Sequence, residues 1–255
     1  MDLELNDRVV LITGGTDGLG LALAQRLLLE GARVAVCGRD EQRLIAAQEL
    51  LGGGALCVMA DVTNALDCDR FVQTTVEHFG RLDGVVNNAG RSSASTIEDA
   101  TDEQWREDYE LKVMAAVRIS RAALEQLALR GGAILNVLAV MARTPPAGST
   151  PTAASRAAGL ALTKALANEV APRGIRVNAL LIGLIESGQW VRRAEAAGED
   201  LSAFYARSAR DANIPLGRFG RAEEFADVAS FLLSSRASFV TGVGISVDGG
   251  MSRVI

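Results

Sequence analysis

Short apolar runs rich in β-branched residues alternate along this chain with longer segments whose apolar positions recur every three or four residues. The first pattern predicts buried strands near 8–13, 33–37, 55–60, 82–87, 132–138, 175–181 and 244–247. The second predicts helices near 18–30, 40–51, 65–79, 101–129, 151–171 and 221–234. Strand followed by helix, repeated, implies right-handed crossovers and a doubly wound parallel sheet with helices on both faces, an α/β architecture. Gly31 closes the first helix, and Gly52-Gly53-Gly54 separates the second from its following strand. The stretch 187–214 departs from this rhythm, with Trp190, Phe204 and Tyr205 set among Arg, Glu, Asp and Gly. It reads either as a helical flap over a ligand site or as a plain surface insertion. No linker or composition break interrupts 1–255, so one domain is expected.

The first strand–helix junction carries the strongest chemical signal. Thr13-Gly14-Gly15-Thr16-Asp17-Gly18-Leu19-Gly20 directly follows Val9-Val10-Leu11-Ile12 and leads straight into Leu21-Ala22-Leu23. A helix N-terminus offers unpaired N–H groups and partial positive charge, and glycines at 14, 18 and 20 let backbone approach a pyrophosphate. The flanks therefore point to a dinucleotide site in a Rossmann-type sheet. After the second strand, Arg39 stands where a carboxylate would bind an adenosine ribose 2′-OH. Its guanidinium fork suits a 2′-phosphate, favouring NADP over NAD; the bland alternative is a surface arginine paired with Asp40 or Glu41. Asp61 and Val62 end the third strand and are candidates for the adenine pocket. Asn87-Asn88-Ala89-Gly90 ends the fourth, at the carboxyl edge where open α/β sheets bind ligands.

Composition narrows the field. A chain of 255 residues that is 49% apolar can bury a large core, and a net charge of −5 argues against a nucleic-acid footprint. Cys37, Cys57 and Cys68 are odd in number and lack Cys-x-x-Cys spacing, so neither a disulfide framework nor a metal site is expected. No stretch suits a signal peptide or a bilayer span, and a cytoplasmic protein without membrane partners is expected.

Taken together, these segments resemble the short-chain dehydrogenase/reductase family over essentially the whole chain. Its Thr-Gly-x-x-x-Gly-x-Gly loop matches Thr13 to Gly20, and its Asn-Asn-Ala-Gly matches 87–90. Arg176-Val177-Asn178, Gly183-Leu184-Ile185-Glu186-Ser187 and Val247-Asp248-Gly249-Gly250 also align. The resemblance implies that Gly14, Thr16, Asp17, Gly18, Leu19, Gly20, Asn88, Ala89, Gly90 and Gly183 line the cofactor. It sets Ile185 against the nicotinamide amide and Ser187 at a position usually held by threonine, while Ile182 replaces the usual proline.

The catalytic positions depart from that family. The pattern Ala154-Ser155-Arg156-Ala157-Ala158 puts Arg156 in the lysine slot and Thr152 in the tyrosine slot. Ala139 stands where the serine is expected and Lys112 where the asparagine is expected. An aliphatic hydroxyl is a far weaker acid than a phenol, and a guanidinium holds its proton at any ordinary pH. Arg156 is thus a candidate ribose and charge anchor, Thr152 a substrate hydrogen bond, and Lys112 the one replacement able to exchange protons. Lys112 reads either as an inward ammonium of depressed pKa or as a solvated lysine bonded to Asp108 one turn back. Tyr109, Tyr205 and His78 are weaker candidates, read chiefly as packing or surface residues.

The expected activity is NADP(H)-dependent hydride transfer between nicotinamide and a carbonyl or alcohol through an altered proton relay. The alternative is a nucleotide-binding protein of the same fold without turnover. The resemblance further implies that helices 101–129 and 151–171 pair across a two-fold axis, giving a homo-oligomer, a tetramer.

Overall fold

A computed structural model describes residues 1–254. Seven parallel strands form one sheet in the order β3-β2-β1-β4-β5-β6-β7. They are β1 Val9–Thr13, β2 Arg33–Gly38, β3 Ala55–Met59, β4 Gly84–Asn87, β5 Ala133–Ala139, β6 Arg176–Ile182 and β7 Gly244–Val247. Helices α1 Gly18–Leu29, α2 Glu41–Leu51, α3 Ala65–Phe79, α4 Asp102–Tyr109, α5 Ala115–Ala128, α6 Thr150–Val170 and α9 Ala222–Leu233 cover the faces. Within β1 the side chains alternate, Val10 and Ile12 joining the cluster under α1 and α9, Val9 and Leu11 the one under α3 and α5. Leu23, Leu27 and Phe225 fill the first layer; Phe71, Ile119 and Leu127 fill the second.

Strand order reverses at β1, which pairs with β2 on one side and β4 on the other. That switch point opens a crevice at the carboxyl edge. The glycine turn after β1 is braced there by the end of β4. Backbone N–H groups of Asn88 and Ala89 both donate to Thr13 Oγ1 at 3.0 Å, and Asn88 Nδ2 donates to the carbonyls of Thr13 and Gly14.

Two expected elements take a different form. The helix expected over 101–129 is broken by a π-helical turn at Glu110–Met114 between α4 and α5. Such turns insert one residue and often mark functional positions; Lys112 sits at this one's centre. The 187–214 stretch forms two helices, α7 Gly188–Ala197 and α8 Leu201–Asp211. Trp190 and Tyr205 pack on Phe219 with ring centroids 5.3 and 4.7 Å away, seating these helices beside the carboxyl edge.

Candidate active site

A cleft of about 770 Å³ runs along the carboxyl edge from β3 to the α7 segment. Of the sixteen positions expected at the cofactor, fifteen line it: Gly14, Thr16, Asp17, Gly18, Leu19, Arg39, Asp61, Val62, Asn88, Ala89, Gly90, Arg156, Gly183, Ile185 and Ser187. Gly20 does not. It is buried, and a Cβ there would stand 2.4 Å from the Gly14 carbonyl oxygen, so its smallness serves the turn's packing rather than ligand approach. Gly14 and Gly18 have φ of +65° and +55°, the left-handed conformations that the turn requires.

At the β2–β3 end, Arg39 pairs with Asp61 at 3.7 Å rather than with either neighbouring acid. Burial works against the Asp61 carboxylate, yet bonds from Thr63 N and Oγ1 at 2.9 and 2.7 Å, with the Arg39 charge, hold its pKa below the usual range. Arg43, one turn beyond Arg39, also faces the cleft and lies 3.8 Å from Asp17. An amphipathic helix hides such an arginine among solvated ones, so the sequence pattern did not single it out. Arg192 reaches Asp17 from α7, also at 3.8 Å, bridging that helix to the glycine turn.

The inner wall is formed by β5, α6 and the π turn. Arg156 donates from Nη1 to the Val137 carbonyl at 2.6 Å, and its Nη2 lies so near Gly90 that a Cβ there would meet it at 2.9 Å. Among the described residues its buried Nε has no partner. Burial pulls its pKa down to about 10, which leaves it cationic at neutral pH. Thr152 faces the cleft beside Ala139, Val140 and Met141. Its Oγ1 accepts from the Ser93 N–H and from Lys112 Nζ, each at 2.8 Å. With both lone pairs engaged, its own hydrogen remains to be donated.

Lys112 lies behind Thr152, not on the cleft surface. It is the inward ammonium of depressed pKa, and it also makes the Asp108 bond of the solvated reading. The bond to Asp108 is present, but inside the protein, with the two side chains 1% and 0% exposed. Burial first, then the Arg156 charge, lowers the Lys112 pKa to about 8 against the opposing pull of Asp108. Asp108 accepts a second bond from Ser155 Oγ at 2.5 Å. A sequence signal did exist: among 26 lysines and arginines, only Lys112 and Lys164 are lysines. Tyr109 stacks on Trp105 and Tyr205 packs against the cluster of Ala209, Ile214 and Phe219; neither lines the cleft. Ser149 and Thr150 hydroxyls serve local carbonyls, those of Pro146 and Ser95.

A parallel sheet whose switch point carries a glycine-turned helix start and an open crevice defines a Rossmann-type dinucleotide-binding fold. The model of the enoyl-(acyl carrier protein) reductase family matches residues 14–252. The chain belongs to the short-chain dehydrogenase/reductase family. It is 34% identical to 2-(S)-hydroxypropyl-CoM dehydrogenase 3 of Xanthobacter autotrophicus, with both chains covered fully. Among solved structures, an NADPH-bound short-chain oxidoreductase of Pseudomonas aeruginosa, described as containing an atypical catalytic center, superposes with a TM-score of 0.93. It is 40% identical, over 98% of this chain and all of that one. L-Sorbose reductase of Gluconobacter frateurii, complexed with NADPH and L-sorbose, gives a TM-score of 0.94 at 35% identity over both full chains.

Proposed function

We propose that this protein is an NADPH-dependent reductase of a carbonyl substrate, working without the family's phenol through a relay of Lys112, Thr152 and Arg156. The cleft's residues fit the cofactor. A helix start framed by Gly14 and Gly18 suits a pyrophosphate, Arg39 and Arg43 suit a 2′-phosphate, and the unpartnered Arg156 Nε leaves donor capacity for a ribose. Gly183, Ile185 and Ser187 stand at the nicotinamide end, with Asp61, Val62, Asn88, Ala89 and Gly90 along the walls. When bound, NADPH supplies a hydride to the carbonyl carbon.

The proton is the protein's own task. Thr152 donates its hydrogen to the substrate oxygen as Lys112 Nζ replaces it, so the threonine never becomes an alkoxide. The observation that carries this reading is the 2.8 Å bond from a sealed ammonium to a hydroxyl that faces the cleft. Arg156 keeps its proton, anchors the ribose side and, by its charge, makes Lys112 a readier donor. Such acid catalysis typically contributes about 10²–10⁴-fold.

The reading extends to one domain with 187–214 as a substrate flap, and to a cytoplasmic homotetramer. Supporting it are free thiols at Cys37, Cys57 and Cys68, exposed Ala157, Ala161 and Ala165 on α6, and a fully exposed Phe239. No helix among the described residues is long and apolar enough to cross a membrane.

The test is NADPH oxidation followed by absorbance with diacetyl, ethyl acetoacetate, L-sorbose and 4-nitrobenzaldehyde. Turnover is expected to fall at least 100-fold in Thr152→Val and Lys112→Met while NADPH still raises the melting temperature. Because reduction needs the ammonium, the wild-type rate should decline as pH rises through about 8. NADPH binding with no turnover across the panel would instead identify a nucleotide-binding protein without catalysis.

A further inference from the structure

Asp108 stands apart from its helix. The α4 segment Asp-Glu-Gln-Trp-Arg-Glu-Asp-Tyr is polar, and its other acids, Asp102, Glu103 and Glu107, are exposed. Asp108 alone is buried, and both its oxygens are taken: Oδ1 by Lys112 Nζ, Oδ2 by Ser155 Oγ. A buried ion pair gives no assurance of extra stability over apolar side chains of similar volume. Stability is therefore a poor reason to find one here.

We infer that Asp108 is a positioning residue, docked on α6 through Ser155, that aims the Lys112 ammonium at the Thr152 hydroxyl. The inference rests on the relay proposed above. Ser155 lies three residues after Thr152 on the same helix, so one rigid element registers both the carboxylate and the hydroxyl that the ammonium must serve. Without a second anchor, the four rotatable bonds of a lysine would let Nζ wander from a single 2.8 Å contact. The charged groups that act on Lys112 are Asp108 from α4, Arg156 from α6 and Arg91 from the loop after β4. Asp108 is the only anion of the three, so its removal leaves two cations and burial acting together to discharge the amine.

The experiment uses full-length protein labelled with [ε-¹³C]lysine, which has only the Lys112 and Lys164 signals. NMR titration is run beside kcat against pH on whichever panel carbonyl reacts fastest. In the wild type, the Lys112 signal should titrate near pH 8. In Asp108→Asn, that titration and the alkaline decline of kcat should both move down by about one to three pH units. Ser155→Ala keeps the charge but loosens the aim; kcat should fall at least several-fold with the titration near its wild-type value. A merely structural Asp108 would lower the yield of folded protein and leave kcat of Ser155→Ala at its wild-type value. If Asp108→Asn fails to fold, Ser155→Ala with wild-type kcat overturns the inference. An unmoved titration in folded Asp108→Asn also overturns it, and leaves the relay standing if Lys112→Met still abolishes turnover. A wild-type Lys112 signal that titrates at an ordinary lysine pH overturns relay and inference alike.

Discussion

Replacing Lys112 by methionine removes the ammonium while retaining most of the side chain's volume, and the consequences can be worked from the surroundings. Asp108 and Lys112 side chains are 0% and 1% exposed, so neither charge has water to fall back on. Methionine leaves the Asp108 carboxylate with Ser155 as its remaining side-chain donor. Thr152 Oγ1 keeps the Ser93 N–H and loses one of its two donors. An uncompensated buried charge of this kind costs about 3–5 kcal/mol. The double variant Asp108→Asn/Lys112→Met removes both charges and should recover most of the loss, returning to within about 1 kcal/mol of wild type.

Urea unfolding at pH 7, followed by circular dichroism, measures this cycle. The pH dependence supplies an independent sign. In the folded protein Lys112 has its pKa lowered to about 8 from an ordinary 10.5. Below pH 8 both folded and unfolded chains hold that proton, and the cost of burying the charge is fully present. Between pH 8 and 10.5 the unfolded chain binds more protons, so this residue makes stability rise with pH, by at most about 3 kcal/mol. Lys112→Met lacks that rise, and its deficit relative to wild type should widen across the window. A single variant within about 1 kcal/mol of wild type, or a double variant no more stable than the single, would refute the buried pair.

Two further outcomes test the nucleotide side. Arg39→Ala and Arg43→Ala should each weaken NADPH binding on the order of 10- to 100-fold by calorimetry while changing NADH binding much less, since only the 2′-phosphate loses a charge-assisted bond. Gly20→Ala should destabilise the fold by about 1–3 kcal/mol in urea, because its Cβ would stand 2.4 Å from the Gly14 carbonyl oxygen; unchanged stability would mean the turn is not packed as described.

The sheet was legible because buried parallel strands announce themselves as β-branched runs, and all seven expected strands are found with ends displaced by no more than two residues. The glycine turn was legible for a similar reason: its chemistry is local, written in consecutive residues. The inner wall was not. A π turn at 110–114 has no composition of its own, so the sequence pattern reads through it as continuous helix. Asp108 sits in a run of acids on a polar helix and gains its meaning only where α6 covers it and supplies Ser155. Arg43 looks like any solvated helix arginine until the sheet edge places it beside Arg39 and Asp17. What sequence reading missed is mostly side chains whose role comes from another element's approach.

Under the proposed relay, one residue's work is divided among three in a physically coherent way. A phenol that is both wall and acid needs a neighbouring cation to lower its pKa. Here the wall is Thr152, whose hydroxyl reaches less far into the cleft than a phenol would and leaves that volume open. In that proposal the cation that stays put is Arg156 and the one that gives up a proton is Lys112, in a chain that otherwise uses arginine almost exclusively. A guanidinium at position 112 would also carry the charge that pairs with Asp108, so charge alone does not explain the choice. Of the two side chains only lysine can deprotonate at an ordinary pH, and burial has brought that ability to about pH 8. Lys112→Arg is therefore the sharpest substitution: a folded, NADPH-binding protein is expected whose turnover is lost, because the ion pair survives while the proton does not move.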